Sequence, residues 1–299
     1  MTARRVTTAE AILAAQKSAL SNPSVVLLGE SVGRLGGCRG TSAGLLAEFG
    51  EERVIDLPVG SAGAAGLAAG LAMGGKRPIL EVSGADRLDA MMEQLASEIG
   101  GLAARSGGAF SAPVVVRVPD CGAAEMSALG SLADVDGLTV VTPSSAEEAS
   151  GMILGALASS GPVVVVEPGE LQGNRGGLNL EATSLAGSNT LRAGELTIFT
   201  WGAGVALAME VAEAEAANGV EVGVVDLRSL NPIDLAGLAG ALRESGFGVI
   251  LHNSEAYARN LASTLTEATF LYLEAPIGLA STSGGAAGLK QIITSTLNY

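Results

Sequence analysis

The chain of 299 residues is long enough for two ordinary domains with sizeable cores. Hydrophobic residues make up 48% of it, which excludes a disordered protein, and 17 basic against 31 acidic side chains give a net charge of −14, which argues against nucleic-acid or membrane partners. Charged residues are only 16% and glycines number 42, a composition that indicates faces hidden in an oligomer.

Short β-branched runs alternate with segments of helical periodicity through the first two thirds of the chain. Strands are predicted at 25–29, 54–57, 78–82, 113–118, 138–142 and 162–167, and helices at 8–20, 42–49, 61–74, 87–105 and 145–158. The 87–105 segment shows the helical periodicity best, because its apolar side chains recur every three or four residues. Apolar strands separated by helices predict an α/β fold with a mainly parallel sheet flanked by helices.

A stretch rich in Gly, Asn, Ser and Thr interrupts this pattern from about residue 169 to 194. A second α/β unit follows, with strands predicted near 196–200, 221–226, 247–251 and 270–273 and helices near 204–217, 233–243, 256–268 and 286–296. We therefore predict two domains, residues 1–170 and residues 192–299, joined by a linker at 171–191.

The chain has one histidine, His252, and two cysteines, Cys38 and Cys121. These counts exclude a Cys/His zinc cluster and a pair of histidine ligands, so no metal site is predicted. Two distant cysteines suit a reducing compartment and no signal-peptide pattern opens the chain, so a cytoplasmic location is expected. The uncharged run from Leu57 to Gly75 is mostly Gly and Ala, which favours a packed core or interface helix over a membrane span.

A possible nucleotide motif lies in the second unit. Gly202 and Gly204 stand between a predicted strand and helix, and Asp226 ends the next strand, which imitates a dinucleotide-binding fingerprint. The third glycine position is Leu207, however, and a lone Gly-x-Gly is common at such turns, so we favour a structural role. His252 is likewise interpreted as a hydrogen-bonded structural residue, with a role as a base as the alternative.

Several segments together carry a family resemblance. They are VVLLGESVGRLGGCRGTSAGL at 25–45, ERVIDLP at 52–58, GSAGAAGLAAGLAMGGKRPILEV at 60–82, RSGGAFSAPVVVRVP at 105–119 and GPVVVVEP at 161–168, with further matches at 136–157, 196–204, 224–234 and 272–278. In them the chain resembles the β subunit of the thiamin-diphosphate-dependent first component of 2-oxoacid (pyruvate or branched-chain) dehydrogenase complexes. The two units also resemble the pyrimidine-binding and C-terminal domains of transketolase. The matches stand in family order and cover nearly the whole chain.

The resemblance implies a shared cofactor, thiamin diphosphate. In that family the α subunit holds the diphosphate and its Mg²⁺ through a Gly-Asp-Gly motif and a downstream Asn, while the β subunit holds the aminopyrimidine ring. This sequence contains no Gly-Asp-Gly. The resemblance therefore implies an α partner that carries the motif and a second copy of this chain, in a heterotetramer.

The β-side residues depart from the family pattern. In the family's Pro-Leu-x-Glu-x-Gly segment, the Glu hydrogen-bonds a ring nitrogen and favours the imino tautomer that deprotonates the thiazolium carbon. Here Val59 stands at the Leu position and Ser61 at the catalytic Glu position. Arg87 stands where the family stacks an aromatic residue, and the loop at 120–136 lacks the family's histidine. Glu30 matches the family's Gly-Glu-Asp motif.

Two functions follow from this comparison. The first is an enzyme subunit that completes a thiamin diphosphate site for 2-oxoacid decarboxylation or two-carbon transfer, with Glu30, Val59, Ser61 and Arg87 lining the pyrimidine pocket. The second is a non-catalytic subunit of the same fold that serves structure or regulation. Family membership favours the first function, whereas Ser61, Arg87 and the shortened loop favour the second. A third class, an NAD-binding module at 202–226, rests on the glycine motif alone.

Overall fold

The structure is a computed structural model that describes residues 5–82, 84, 88–121 and 128–299. The chain divides into two compact units, Met1–Leu185 and Ala186–Tyr299. Each unit contains a mainly parallel sheet flanked by helices, which confirms the α/β fold predicted from the alternation of strand and helix patterns.

The strands of the first unit are mostly short apolar runs with buried side chains. They are β1 (Val6–Thr7), β2 (Val25–Gly29), β3 (Val54–Asp56), β4 (Arg77–Glu81), β5 (Val115–Cys121), β6 (Thr139–Val141), β7 (Val163–Pro168) and β8 (Arg175–Gly176). Strands β6, β7, β5, β4, β2 and β3 lie side by side in that order, and neighbouring strands are parallel. Strands β1 and β8 form a separate antiparallel pair. The carboxyl ends of β2, β3 and β4 therefore meet at one edge of the sheet.

The helices of the first unit are α1 (Thr8–Leu20), α2 (Leu45–Phe49), α3 (Ser61–Met73), α4 (Leu102–Arg105), α5 (Ala128–Ala133) and α6 (Ala146–Ala158). Three of them, α1, α3 and α6, lie within one residue of the predicted bounds. A capping box starts α1, since the Thr7 hydroxyl accepts the Glu10 amide and the Glu10 carboxylate accepts the Thr7 amide. The prediction for 42–49 starts too early, because Gly44 has a φ of 80° and α2 begins only after it.

The segment predicted as one helix at 87–105 is broken in the structure. After a 3₁₀ turn at Asp89–Met91, the chain forms a π-helix over Gln94–Gly100 and ends as α4. Most of its apolar side chains are buried, as the periodicity predicts. The prediction of a continuous α-helix is wrong, because the backbone here forms π-helical hydrogen bonds between residues five apart. For example, the Gly101 amide donates to the Ala96 carbonyl at 2.8 Å.

The second unit contains its own sheet and four helices. The elements are β9 (Asn189–Arg192), β10 (Leu196–Thr200), α7 (Gly204–Ala216), β11 (Val222–Asp226), β12 (Ser229–Asn231), α8 (Leu235–Ser245), β13 (Phe247–His252), α9 (Glu255–Thr269), β14 (Gly278–Ser281) and α10 (Gly285–Leu297). Its five-stranded sheet has the order β14, β13, β10, β11, β9. All neighbours are parallel except the edge strand β9, which is antiparallel to β11.

One strand predicted for the second unit differs from the structure. The strand predicted at 270–273 is a 3₁₀ turn, Phe270–Tyr272, in which Leu271 is 88% exposed. The edge strand β14 starts instead after Pro276, which has no amide hydrogen to offer a strand ladder. The stretch predicted as a linker, 171–191, contains β8 and the start of β9.

Candidate functional site

A pocket opens at the carboxyl edge of the first unit's sheet. Its walls come from the ends of β2 and β4, the segment after β3, the first turn of α3 and the 3₁₀ turn before the π-helix. The lining residues are Gly29, Glu30, Leu57, Ser61, Ala64, Leu80, Glu81, Val82 and Met91. Parallel α/β sheets bind their ligands at this edge, because the loops that follow the strands converge there. The pocket is therefore the candidate functional site.

The pocket combines apolar walls with the polar side chains of Glu30, Ser61 and Glu81. The pocket has an empty volume of about 260 Å³, part of which is open to solvent. The centre of a water molecule can reach only about 10 Å³ of it. Mostly apolar walls with a few polar groups are typical of small-molecule sites. In this chain alone the pocket is small.

Local backbone geometry places these side chains at the pocket. Glu30 directly follows β2, whose last residue, Gly29, pairs with Glu81 of β4. A Cβ at Gly29 would lie 2.6 Å from the Glu81 carbonyl oxygen, so glycine is needed for this close approach. Ser61 is the first residue of α3, and the preceding Gly60 provides no side-chain cap. The Ser61 hydroxyl thus stands at an uncapped helix start beside the strand ends.

Glu81 joins the pocket to a buried ion cluster centred on Arg117 of β5. The Arg117 guanidinium forms two parallel bonds with Glu167 of β7, Nε to Oε1 at 2.7 Å and Nη2 to Oε2 at 2.8 Å. Its Nη1 donates to Oε2 of Glu81 at 2.6 Å and to Oε1 of Gln16 at 3.1 Å. All three charged side chains are almost completely buried. Buried charges persist in proteins when they are paired in this way.

The Glu81 carboxylate also holds the loop between β2 and α2. Its Oε1 accepts the Cys38 amide at 2.7 Å, and its Oε2 accepts the Thr41 hydroxyl at 3.3 Å. Gly37 lies against the carboxylate with a φ of 69°, and a Cβ there would come within 2.5 Å of Oε1. Both the backbone conformation and the lack of space therefore require glycine at this position. One carboxylate fixes the pocket wall and this loop together.

The cluster carries two carboxyl groups for one guanidinium. Burial lowers the pKa of Arg117, but the charges of Glu167 and Glu81 outweigh burial and leave that pKa above its usual value. Burial raises the pKa of Glu167, and the charge of Arg117 offsets this only in part. Arg117 therefore stays protonated. Both oxygens of Glu81 accept hydrogen bonds from groups on neighbouring elements.

The structure brings two of the predicted site residues together. Glu30 and Ser61 line the same pocket, although they are far apart in sequence. Val59 does not line it and is 72% exposed. Arg87 and the middle of the predicted loop, residues 122–127, lie outside the described residues.

Sequence reasoning did not single out Arg117 and Glu167. The pattern that could reveal them is a charged residue within an otherwise apolar strand, as in VVVRVP and VVVVEP. Such a strand is buried on both faces, so a charge within it needs a partner of opposite sign on a neighbouring strand.

In the second unit, the predicted nucleotide motif has a packing explanation. A Cβ at Gly204 would lie 2.3 Å from Thr200 Oγ1, so glycine lets α7 start close to β10. Asp226 is buried and accepts the amide of Arg228 at 3.1 Å, so it does not face an open groove. Packing explains Gly204 and a local hydrogen bond explains Asp226, without a bound nucleotide.

His252 ends β13 and is buried. Its Nδ1 has no hydrogen-bond partner among the described residues, so the predicted hydrogen bond is not found at that atom. Burial lowers the pKa of His252. Within the described ranges, no three or more His, Cys, Asp and Glu residues are grouped as a metal site would need, and no helix there has the length and apolar character to cross a membrane.

Comparison with known proteins agrees with this geometry. The transketolase pyrimidine-binding domain matches residues 4–173, and the transketolase C-terminal domain matches residues 189–283. The chain is 35% identical over 278 residues to the pyruvate dehydrogenase E1 component subunit beta of Leifsonia xyli, covering 88% of this chain and 81% of that protein. The chain belongs to the family of transketolase-like E1 β subunits. The subunit of the same name from Staphylococcus aureus is 35% identical over 288 residues, covering 92% of this chain and 89% of that protein.

Solved structures share the fold of this E1 β-type chain. A split-gene transketolase, described as an inactive beta4 tetramer, superposes with a TM-score of 0.78 at 20% identity and covers 98% of both chains. A transketolase variant from Pichia stipitis superposes with a TM-score of 0.71 at 12% identity, covering 99% of this chain and 46% of that one. The candidate pocket lies wholly within the part of the chain that matches the pyrimidine-binding domain.

Proposed function

We propose that this chain is the β-type subunit of a thiamin-diphosphate-dependent heteromer that decarboxylates 2-oxoacids or transfers a two-carbon unit. The observation that carries the proposal is the pocket at the carboxyl edge of the first sheet, which Glu30 and Ser61 both line and which lies inside the pyrimidine-binding match. The curated relatives are named for pyruvate dehydrogenase. Pyruvate and branched 2-oxoacids are therefore the first substrates to test.

The chemical character of the pocket's side chains suits an aminopyrimidine ring. Apolar side chains such as Leu57, Val82 and Met91 suit the faces of the ring, while the Glu30 carboxyl and the Ser61 hydroxyl suit its polar edge. The room inside the pocket, about 10 Å³, is smaller than a ring. The rest of the site would come from another subunit, as in a cofactor site shared by two chains. Thiamin diphosphate, when bound, supplies the carbon nucleophile of the reaction.

The partner would be an α-type subunit whose Gly-Asp-Gly motif and downstream Asn hold the diphosphate and Mg²⁺. Helix α3 offers this chain's contact surface for such a subunit or for a second copy. Gly63, Gly66 and Gly70 leave open space where Cβ atoms would stand, and Leu67 and Met73 are exposed beside them. Small residues let another backbone approach closely, and the exposed apolar side chains favour a covered face.

Ser61 supports a second candidate, a non-catalytic subunit that assembles like its relatives. A hydroxyl forms hydrogen bonds but does not exchange a proton near neutral pH as a carboxyl group does. Losing a positioned acid of this kind raises the barrier by roughly 3–5 kcal/mol when no other group replaces it. The two candidates therefore differ in whether another residue of the pocket takes over the proton.

Co-expression with an E1 α-type subunit that carries the Gly-Asp-Gly motif tests both candidates. The measurement is CO₂ release from pyruvate and from branched 2-oxoacids, with and without thiamin diphosphate and Mg²⁺, and with each subunit alone as the control. Cofactor-dependent turnover by the purified pair supports the enzyme. A stable complex that binds the cofactor without turnover supports the non-catalytic subunit. Failure of the two chains to associate contradicts both candidates.

A further inference from the structure

A cleft in the second unit lies between helix α8 and the strands β9, β10 and β11. Its empty volume is about 620 Å³, part of which is open to solvent, and the centre of a water molecule can reach about 250 Å³ of it. The pocket of the first unit offers about 10 Å³ by the same measure. Sites for small molecules commonly have volumes of about 300–1,000 Å³, so this cleft has room for a ligand in this chain alone.

Hydrogen bonds at both ends hold α8 over the sheet, while small residues between them leave the cleft open. At the start of the helix, the Ser188 amide and hydroxyl donate to Asp234 at 3.0 and 2.9 Å. At its end, the Thr197 hydroxyl donates to the Ser245 hydroxyl at 3.0 Å. The residues of α8 that line the cleft between these anchors are Ala236, Gly237, Gly240 and Ala241. A Cβ at Gly240 would have no neighbour within 4 Å.

Arg192 of β9 brings a positive charge to the cleft. Among the described residues its guanidinium makes one hydrogen bond, from Nη2 to Oε2 of Glu221 at 2.6 Å, and the buried Nε has no partner. A guanidinium has five N–H groups and can hold a carboxylate through two of them at once. Arg192 therefore keeps N–H groups on Nη1 and Nη2 for the carboxylate of a ligand.

Glu244 of α8 brings a negative charge to the same end of the cleft. Arg192 and Thr197 pair with neighbouring residues of β11, and Ser245, which follows Glu244, accepts the hydrogen bond from Thr197. The Glu244 carboxylate has no hydrogen-bond or ion-pair partner in the part of the chain that the structure describes. One end of the cleft thus offers a cation and an anion, each with capacity for a ligand.

We propose that the cleft binds a small zwitterion, an α-amino acid with an aliphatic side chain. Arg192 receives its carboxylate and Glu244 receives its ammonium group. The aliphatic side chain packs on the apolar wall formed by Val225, Ala236 and Ala241. The cleft lies within the match to the transketolase C-terminal domain and outside the pyrimidine-binding match, so this inference goes beyond the proposed function.

The charges around the cleft favour a zwitterion over a simple ion. An anion without an ammonium group would meet the carboxylates of Glu221 and Glu244 as well as the Arg192 guanidinium, in a chain of net charge −14. An amine without a carboxylate would leave the free N–H groups of Arg192 without an acceptor. A ligand that carries both groups satisfies both side chains.

L-Valine and two analogues that each lack one charged group test this assignment. Calorimetry on the purified full-length chain compares L-valine with 3-methylbutanoate, which lacks the ammonium group, and with 2-methylpropan-1-amine, which lacks the carboxylate. A hydrogen bond to a charged group corresponds to about 10- to 100-fold in affinity. L-Valine should therefore bind at least about 10-fold more tightly than either analogue.

Variants assign each charged group to its side chain. Arg192→Met should bind L-valine and the amine equally well, and Glu244→Gln should bind L-valine and 3-methylbutanoate equally well. The charge control is Glu210→Gln, a change at an exposed residue of α7 outside the cleft, which should keep both preferences. Gly240→Leu should abolish binding because its side chain fills the cleft, whereas Gly288→Leu, at an equally open position of α10, should bind as the wild type does.

The possible outcomes decide the proposal without reference to thiamin diphosphate. The absence of any L-valine binding at millimolar concentration overturns it, and equal binding of L-valine and either analogue overturns the zwitterion. Unchanged binding in Gly240→Leu overturns the cleft as the place of binding. The comparison of the three ligands uses the wild-type chain, so it decides the ligand class even when a variant fails to fold as judged by circular dichroism.

Discussion

Replacing Arg117 by Met should strongly destabilise the first unit. The change fills much of the same volume but removes the cation that makes three charge-assisted hydrogen bonds with Glu81 and Glu167. Breaking a buried ion pair by removing one partner costs about 3–5 kcal/mol. Here two buried carboxyl groups lose their partner, so the loss should reach at least that range. Since whole domains are stable by only about 5–15 kcal/mol, the effect should be large.

Urea unfolding measures this loss and separates the two units. Far-UV circular dichroism follows both units, whereas the fluorescence of Trp201 follows the second. Arg117→Met should move the circular-dichroism transition to lower urea and move the Trp201 transition much less. The matched control is Arg34→Met, which breaks an exposed pair with Asp56 at 3.7 Å and should change stability by only about 0–1 kcal/mol.

Two further measurements test whether unpaired buried carboxylates cause the loss of stability. Adding Glu81→Gln and Glu167→Gln to Arg117→Met should recover part of the stability, because the unpaired charges are then gone. The destabilisation by Arg117→Met alone should shrink as the pH falls, because burial raises the pKa of Glu167 and a protonated carboxyl group no longer leaves an unpaired buried charge. The reasoning is refuted if Arg117→Met costs no more than Arg34→Met, or if its effect does not depend on pH.

The remaining predictions concern the pocket, the interface and the single histidine. Ser61→Glu should raise thiamin-diphosphate-dependent turnover of the α/β complex by at least about 10-fold, since a positioned acid contributes about 10²–10⁴-fold; no gain in a cofactor-loaded complex would contradict the assigned place of Ser61. Gly66→Leu should leave the isolated chain folded, because open space surrounds that position, but should weaken subunit association in native mass spectrometry. The matched control is Gly240→Leu in α8, which is equally open, and equal effects of the two changes would argue against the α3 interface. Burial lowers the pKa of His252 below 6.5, so the folded chain binds that proton less tightly than the unfolded chain, and stability should be full above about pH 6.5 and fall as the pH drops through the folded pKa. NMR titration of this imidazole gives its pKa directly; His252→Gln should remove this contribution to the pH dependence of stability, and a folded pKa at or above 6.5 would contradict the prediction.

The fold could be predicted well where burial alone decides the structure. The three helices that begin at Thr8, Ser61 and Ala146 lie within one residue of the predicted bounds. The prediction fails at 87–105, because the spacing of apolar side chains indicates which face is buried. It does not indicate whether backbone hydrogen bonds join residues four apart or five apart. The prediction at 270–273 fails because an apolar run can also form an exposed turn.

The site depends on contacts that local sequence does not specify. Motif comparison identifies Glu30 and Ser61 separately, but only the order of β4, β2 and β3 brings them into one pocket. The pairing of Glu81 and Glu167 with Arg117 likewise depends on strand register, because a shift of one residue would turn each side chain to the opposite face of the sheet.

Sequence by itself therefore determined the family, the two α/β units and most helix and strand positions, since these follow from composition, periodicity and motif order. Only the tertiary structure decided that Glu81 and Glu167 pair with Arg117 and that Glu30 and Glu81 line one pocket with Ser61. The physical reason is that hydrogen bonds and ion pairs between distant residues form only after the sheet has set the order and register of its strands.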